Sequence, residues 1–179
     1  MKRYVAFLRG MNLGGRRIKN EELRRHFEEM GFEVVATFRA SGNVIFSAPG
    51  REAEGKLAQR VEAELDERLG YDVPVFLRSI DEVAAIAAQE PFDSKLVEKS
   101  KGKLQVSLLK KKPSAAAKKK ALALATDEDQ LAIEGRELYW LPSGGISDSD
   151  LDLKAINSTL GPGTIRTMGT IEQIAAKHD

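Results

Sequence analysis

The chain has 179 residues, 42% hydrophobic and 31% charged, the composition of a globular protein built as one ordinary domain or two small lobes. It contains no cysteine, which excludes disulfides, thiolate zinc sites, iron–sulfur clusters and thiol nucleophiles, and suits a reducing compartment. The net charge of +1 hides an asymmetry: Ser94–Lys120 holds ten lysines against one acid, Glu98, a local +9, so the remainder sums to −8.

In chain order, Tyr4–Leu8 is a β-rich run, too short for a signal peptide, and reads as the first strand. Arg9–Lys19 is a loop punctuated by Gly10, Gly14 and Gly15. Asn20 is placed to cap a helix that carries Glu21 and Glu22 in its first turn and an apolar stripe of Leu23, Phe27 and Met30, with Gly31 as its stop. Phe32–Phe38 and Asn43–Ser47 read as the second and third strands around a polar turn. A long helix striped by Leu57, Val61, Leu65 and Leu69 follows Pro49-Gly50 and ends at Gly70. Val73–Arg78 is the fourth strand, and Ser79-Ile80-Asp81-Glu82 is a capping box opening a short helix through Val83 and Ile86.

The pattern then restarts. Lys103–Leu109 alternates as a strand, and Ser114–Thr126 is an alanine- and lysine-rich helix. Leu131–Ile133 and Leu138–Leu141 flank Glu134-Gly135-Arg136-Glu137, a hairpin signal. Leu153, Ile156 and Leu160 stripe a helix stopped by Gly161-Pro162. Thr164–Met168 is a last strand, with Thr170-Ile171-Glu172-Gln173 opening the final helix. No stretch approaches the ~20 apolar residues of a membrane span, so the chain reads as cytoplasmic with no membrane partner.

The order is βαββαβα, twice. It predicts an α+β protein made of two ferredoxin-like (βαββαβ) lobes by internal duplication, each followed by an extra helix. The first lobe is expected over 1–93, a linker over 94–102 and the second lobe over 103–179. The closing helices reinforce the repeat, Ser79–Ala85 set against Thr170–Ala176. Right-handed crossovers put strand one between strands three and four, antiparallel to both. That places the end of strand one, Arg9 and Asn12, beside the start of strand three, Ser41, Gly42 and Asn43.

These residues also carry a likeness. Tyr4–Gly15, with Glu22-Leu23-Arg24, Gly31-Phe32 and Ser41–Phe46, resembles the domain-of-unknown-function family 1697. Ile146-Ser147 and Thr164-Ile165-Arg166 look like that family's later segments. The family usually reads Arg-Asn-Trp-Asn-Thr near its end, where this chain has Arg166-Thr167-Met168-Gly169-Thr170, and Arg39-Ala40 stands where a hydrophobic-glutamine pair is common. The resemblance implies a compact α+β protein of bacterial cytoplasmic type and implies no activity.

Two stretches carry candidate chemistry. Gly10, Gly14 and Gly15 before a helix start can turn backbone N–H groups toward an anion, with Arg9 as a fork-shaped partner. The expected site therefore comprises Arg9, Asn12, Gly14, Gly15, Ser41 and Asn43, holding a small anionic, phosphate-bearing ligand. The loop lacks the Gly-Lys-Ser/Thr of a nucleotide-phosphate loop, and the structural alternative is a tight turn whose polar side chains satisfy loop carbonyls. Ser41 has no base near in sequence, so an enzyme at this loop is a lesser alternative with no catalytic residue assigned. The second stretch is Lys110, Lys111 and Lys112 with Lys118, Lys119 and Lys120, a nucleic-acid-binding alternative. The three helical lysines spread around the helix, which argues for solubility. His26 reads as a margin residue and His178 as a terminal one, so neither a metal site nor a cofactor is expected. Asp148, Asp150 and Asp152 lack the glycine and closing glutamate of a calcium loop and suit helix capping.

Overall fold

A computed structural model describes residues 1–11, 17–39, 42–101 and 103–178. The chain divides into two compact units, Met1–Ala84 with Ile174–Asp179, and Ala85–Gln173. Each contains one four-stranded sheet in which the described strand pairs are all antiparallel.

The first sheet comes from β1 (Lys2–Leu8), α1 (Asn20–Glu29), β2 (Glu33–Thr37), β3 (Asn43–Ala48), α2 (Glu54–Leu69) and β4 (Val75–Ser79), followed by α3 (Ile80–Ala87). Its strand order is β2-β3-β1-β4, the ferredoxin-like order, with β1 antiparallel to both neighbours. The helical stripes read from the sequence pack on one face, where Leu23 and Phe27 of α1 and Leu57, Val61 and Leu65 of α2 meet Tyr4, Ala6, Phe46 and Leu77. Phe46 sits at the centre of this core, its ring 5.4 Å from Phe27 and 4.5 Å from Phe32. The other face of the sheet is buried as well, at Val5, Phe7, Ile45 and Phe76. At the outer strand β2 the register shifts between Glu33 and Ala36, and Val34 takes a φ of 49° there, a strained position for a β-branched residue.

The second sheet comes from β5 (Gln105–Leu109), α5 (Ala115–Leu122), β6 (Asp129–Glu134), β7 (Glu137–Pro142), a 3₁₀ turn at Ile146–Asp148, α6 (Leu153–Leu160) and β8 (Gly163–Thr167), followed by α7 (Met168–His178). Its order is β6-β7-β5-β8, the same topology again. A short helix, α4 (Ser94–Lys99), capped by Asp93, occupies part of the segment expected to link the lobes. One core cluster of this unit joins Ala121, Ile133, Leu138, Trp140, Leu151 and Ile156, and Val106, Leu108 and Tyr139 are buried as well.

The repeat holds to the residue. Tyr4–Leu8 pairs with Ser79–Val75, and Gln105–Leu109 pairs with Thr167–Gly163, so Ser79 and Thr167 occupy equivalent positions. Ser79 and Glu82 form the reciprocal capping box read from the sequence, Glu82 N donating to Ser79 Oγ at 3.2 Å and Ser79 N to Glu82 Oε1 at 3.0 Å. In the second repeat the helix starts at Met168, and Thr170 N donates to Thr167 Oγ1 at 3.3 Å. The match between the closing helices is therefore three residues earlier than Thr170–Ala176. Thr167 stands where the resemblance expects asparagine, and threonine can cap in its place. A second correction falls on α1, where Lys19, not Asn20, is the N-cap and makes no side-chain capping bond.

Candidate functional site

The end of β1 lies beside the start of β3. Phe7 is paired with Asn43, and Leu8 N donates to Gly42 O at 2.8 Å. Gly42 has a φ of +78°, and a Cβ there would lie 3.0 Å from Met11 Cγ and 3.1 Å from Leu8 Cβ. Glycine is thus required at this turn on two counts, its backbone conformation and its packing against the residues that bracket Arg9. Gly10 also has a positive φ, 73°.

From the other end of the loop, Asn20 Nδ2 donates to Arg39 O at 3.1 Å. The entrance and the exit of the segment between β1 and α1 are therefore both tied to the β2–β3 turn. Asn12, Gly14, Gly15 and Ser41, four of the six expected site residues, lie outside the described residues. The other two lie at this corner. Arg9 is half-buried, its backbone N–H bound to Pro74 O at 3.1 Å, and among the described residues no ion pair involves its guanidinium. Asn43 is 1% exposed; its Nδ2 donates to Phe38 O at 3.0 Å while Phe38 N donates to Asn43 O at 3.0 Å. Its amide closes the turn.

Met1–Asn20 contains no acid, and Arg17 and Lys19, before α1, are exposed. Lys2 and Arg3 lie at the far end of β1, and one carboxylate approaches the corner: Glu62 Oε1 accepts from Val75 N at 2.8 Å, next to the Pro74 carbonyl that holds Arg9 N. Arg39 is also exposed, its guanidinium carbon 5.4 Å from the centre of the Phe38 ring. Arg24 and Arg25, by contrast, pair with Glu28 and Glu29 along α1.

The histidines belong elsewhere. His178 Nδ1 lies 3.5 Å from Arg3 Nη2, by the start of β1, while Arg9 follows its end, about 20 Å away at the rise of a strand. Burial, then the Arg3 charge, holds His178 below the usual histidine range. His26 is lowered by burial and then by Arg68, which itself binds Glu29 at 2.5 Å and Glu64 at 3.3 Å. Among the described residues no group of His, Cys, Asp or Glu could hold a metal ion.

Two buried arginines were not legible as special in the sequence. Arg78 on β4 is 1% exposed and Arg166 on β8 is 9% exposed. They are repeat equivalents, opposite Val5 and Val106, and each donates from Nη1 to the carbonyl of the preceding residue, Leu77 at 2.9 Å and Ile165 at 3.0 Å. Arg166 also donates to Thr164 Oγ1 at 2.7 Å, and burial pulls its pKa down to about 10. The signal available was the shared Arg-hydroxyl pair, Arg78-Ser79 and Arg166-Thr167, at the end of the fourth strand of each repeat.

A family model described as "Protein of unknown function (DUF1697)" matches residues 1–139. The chain belongs to this family. The DUF1697 match covers both segments of the Arg9 corner and ends before Arg166. A solved structure, that of the conserved bacterial protein SP0830 from Streptococcus pneumoniae, is similar over 98% of this chain and 97% of that one, with 17% sequence identity and a TM-score of 0.70. At that identity the likeness is one of fold. No curated protein matches the sequence. No helix among the described residues is long and apolar enough to cross a membrane.

Proposed function

We propose that this DUF1697 protein binds a small anionic, phosphate-bearing ligand at the corner between the β1–α1 loop and the β2–β3 turn. The observation that carries the reading is that Arg9, a half-buried residue, makes no ion pair among the described residues and follows a strand whose flanking sequence has no acid before Glu21. A guanidinium presents a planar fork of donors that matches the oxygens of a phosphate or carboxylate, and a glycine-rich turn lets backbone N–H groups approach the same anion. Arg9 is the anion partner in this reading, with Asn12, Ser41 and the Gly14 and Gly15 amides as additional donors. Asn43 shapes the turn from beneath. Neither histidine supports a general-base role here, so binding is favoured over catalysis.

The test is thermal unfolding of wild type and Arg9→Ala with inorganic phosphate and a panel of nucleotides and sugar phosphates. A ligand at 100 times its Kd stabilises the folded state by about 2.7 kcal/mol. The expected result is such a shift in wild type and its loss in Arg9→Ala, whose ligand-free stability stays within about 0.5 kcal/mol of wild type. Equal shifts in the two proteins, or no shift with any anion, would overturn the reading.

A further inference from the structure

The duplication assigns an equivalent of the Arg9 corner to the second lobe. Leu109 N donates to Arg136 O at 2.9 Å, as Leu8 N does to Gly42 O at 2.8 Å. Leu108 pairs with Glu137 as Phe7 pairs with Asn43. By this register Lys110, Lys111 and Lys112 stand where Arg9, Gly10 and Met11 stand in the first repeat, beside the Gly135-Arg136 turn in place of the Ser41-Gly42 turn.

We propose that this corner, extended along α5, is a binding surface for the phosphodiester backbone of nucleic acid, read without regard to sequence. Three observations favour that occupant. First, the lysines are outward: Lys110, Lys111 and Lys112 are exposed, and so are Lys118, Lys119 and Lys120. The helix turns only Ala121 and its neighbours inward, so three adjacent lysines span its solvent side instead of being divided between solvent and core. Second, helix stability does not explain Lys110–Lys112. They precede the Ser114 cap of a helix with no acid in its first turn, the end at which the peptide dipoles disfavour cations. Third, the charges are point-like ammonium groups on long stems, spread over a loop and an eight-residue helix about 12 Å long, an array that suits a chain of phosphates better than one compact anion. Glu134 and Glu137 at the turn and Arg136 between them leave the corner and α5 with seven cations against two acids, a net +5. Tyr139 and Trp140 are 1% and 3% exposed, so neither ring offers a stacking platform, and the proposed contact is with the backbone alone.

The 179-residue chain is titrated against labelled single strands of mixed sequence and of a homopolymer, by fluorescence anisotropy across a salt series. With about five phosphates neutralised on a single strand, the slope of log K against log salt is about −3.5, roughly a 100-fold loss of affinity between 50 and 200 mM salt. Lys111→Ala/Lys112→Ala should make that slope shallower by about 1.4, with the two sequences bound alike. Lys56→Ala, an exposed lysine on α2 of the first lobe, should bind as wild type, which separates this surface from the effect of removing any exposed lysine. Absence of binding at the lowest salt, an unchanged slope in the double variant, or tighter binding to phosphatidylserine vesicles than to the strands would overturn the proposal.

Discussion

The two lobes share topology, strand register and a hydroxyl cap after the fourth strand, yet they cover their sheets differently. The first uses a ten-residue α1 and a sixteen-residue α2, and centres its core on Phe27, Phe32 and Phe46. The second uses two eight-residue helices over a core in which Ala121 faces Ile156 and Trp140, leaving Leu153 and Ile165 at 38% and 40% exposure. One backbone plan thus tolerates quite different helices, because crossover handedness and strand pairing require only an apolar seam on each element. What differs between the repeats is the chemistry at the corner after the first strand: a guanidinium and glycines in one, a run of lysines in the other.

Substitutions at equivalent depths sharpen this contrast, the largest effect first. Phe27→Ala empties the aromatic centre of the first lobe and should cost about 3–5 kcal/mol in chemical denaturation. A cost under about 1 kcal/mol would mean that the packing drawn around Phe46 does not hold. In the second lobe the buried Asp129 carboxylate accepts from Trp140 Nε1 at 2.8 Å and Ser149 Oγ at 2.8 Å. Asp129→Ala strands both donors and should destabilise by about 1–3 kcal/mol. Because Trp140 is the sole tryptophan, its fluorescence reports this lobe directly and should change in the folded state of that variant. The smallest effect tests the repeat itself. Ser79→Ala and Thr167→Ala each remove a cap and should each cost about 1 kcal/mol, and Thr167→Asn, which keeps a capping side chain, should restore most of it. If only the Ser79 change is felt, the two helix starts are not equivalent in energy despite their register.

Much of this fold was legible in the sequence. Strand alternation, helical stripes and the glycine stops at Gly31, Gly70 and Gly161 are local signals, and local physics produces them. The Ser79–Glu82 box was read correctly because all its partners lie within four residues. Its counterpart was misplaced by three residues since Thr167 and Thr170 are both hydroxyls in good positions, and only pairing of Gly163–Thr167 with β5 fixes which one ends the strand. Asn20 was read as a cap for the same reason, although its amide reaches nineteen residues along the chain to Arg39.

The candidate corner divides in the same way. That Arg9 meets the β2–β3 turn followed from topology alone, and the Phe7–Asn43 pairing agrees with it. That Asn43 is committed beneath the turn did not follow, nor did the burial of Arg78 and Arg166, which as exposed strand residues would look no different in sequence.

By itself, the sequence of this protein determined the order of elements, their duplication and the family to which it belongs. The tertiary structure decided which polar groups remain available, since a hydrogen-bond partner and the cost of burying a charge are supplied by residues far away in the chain. Periodicity is a property of neighbours along the backbone; desolvation is a property of neighbours in space.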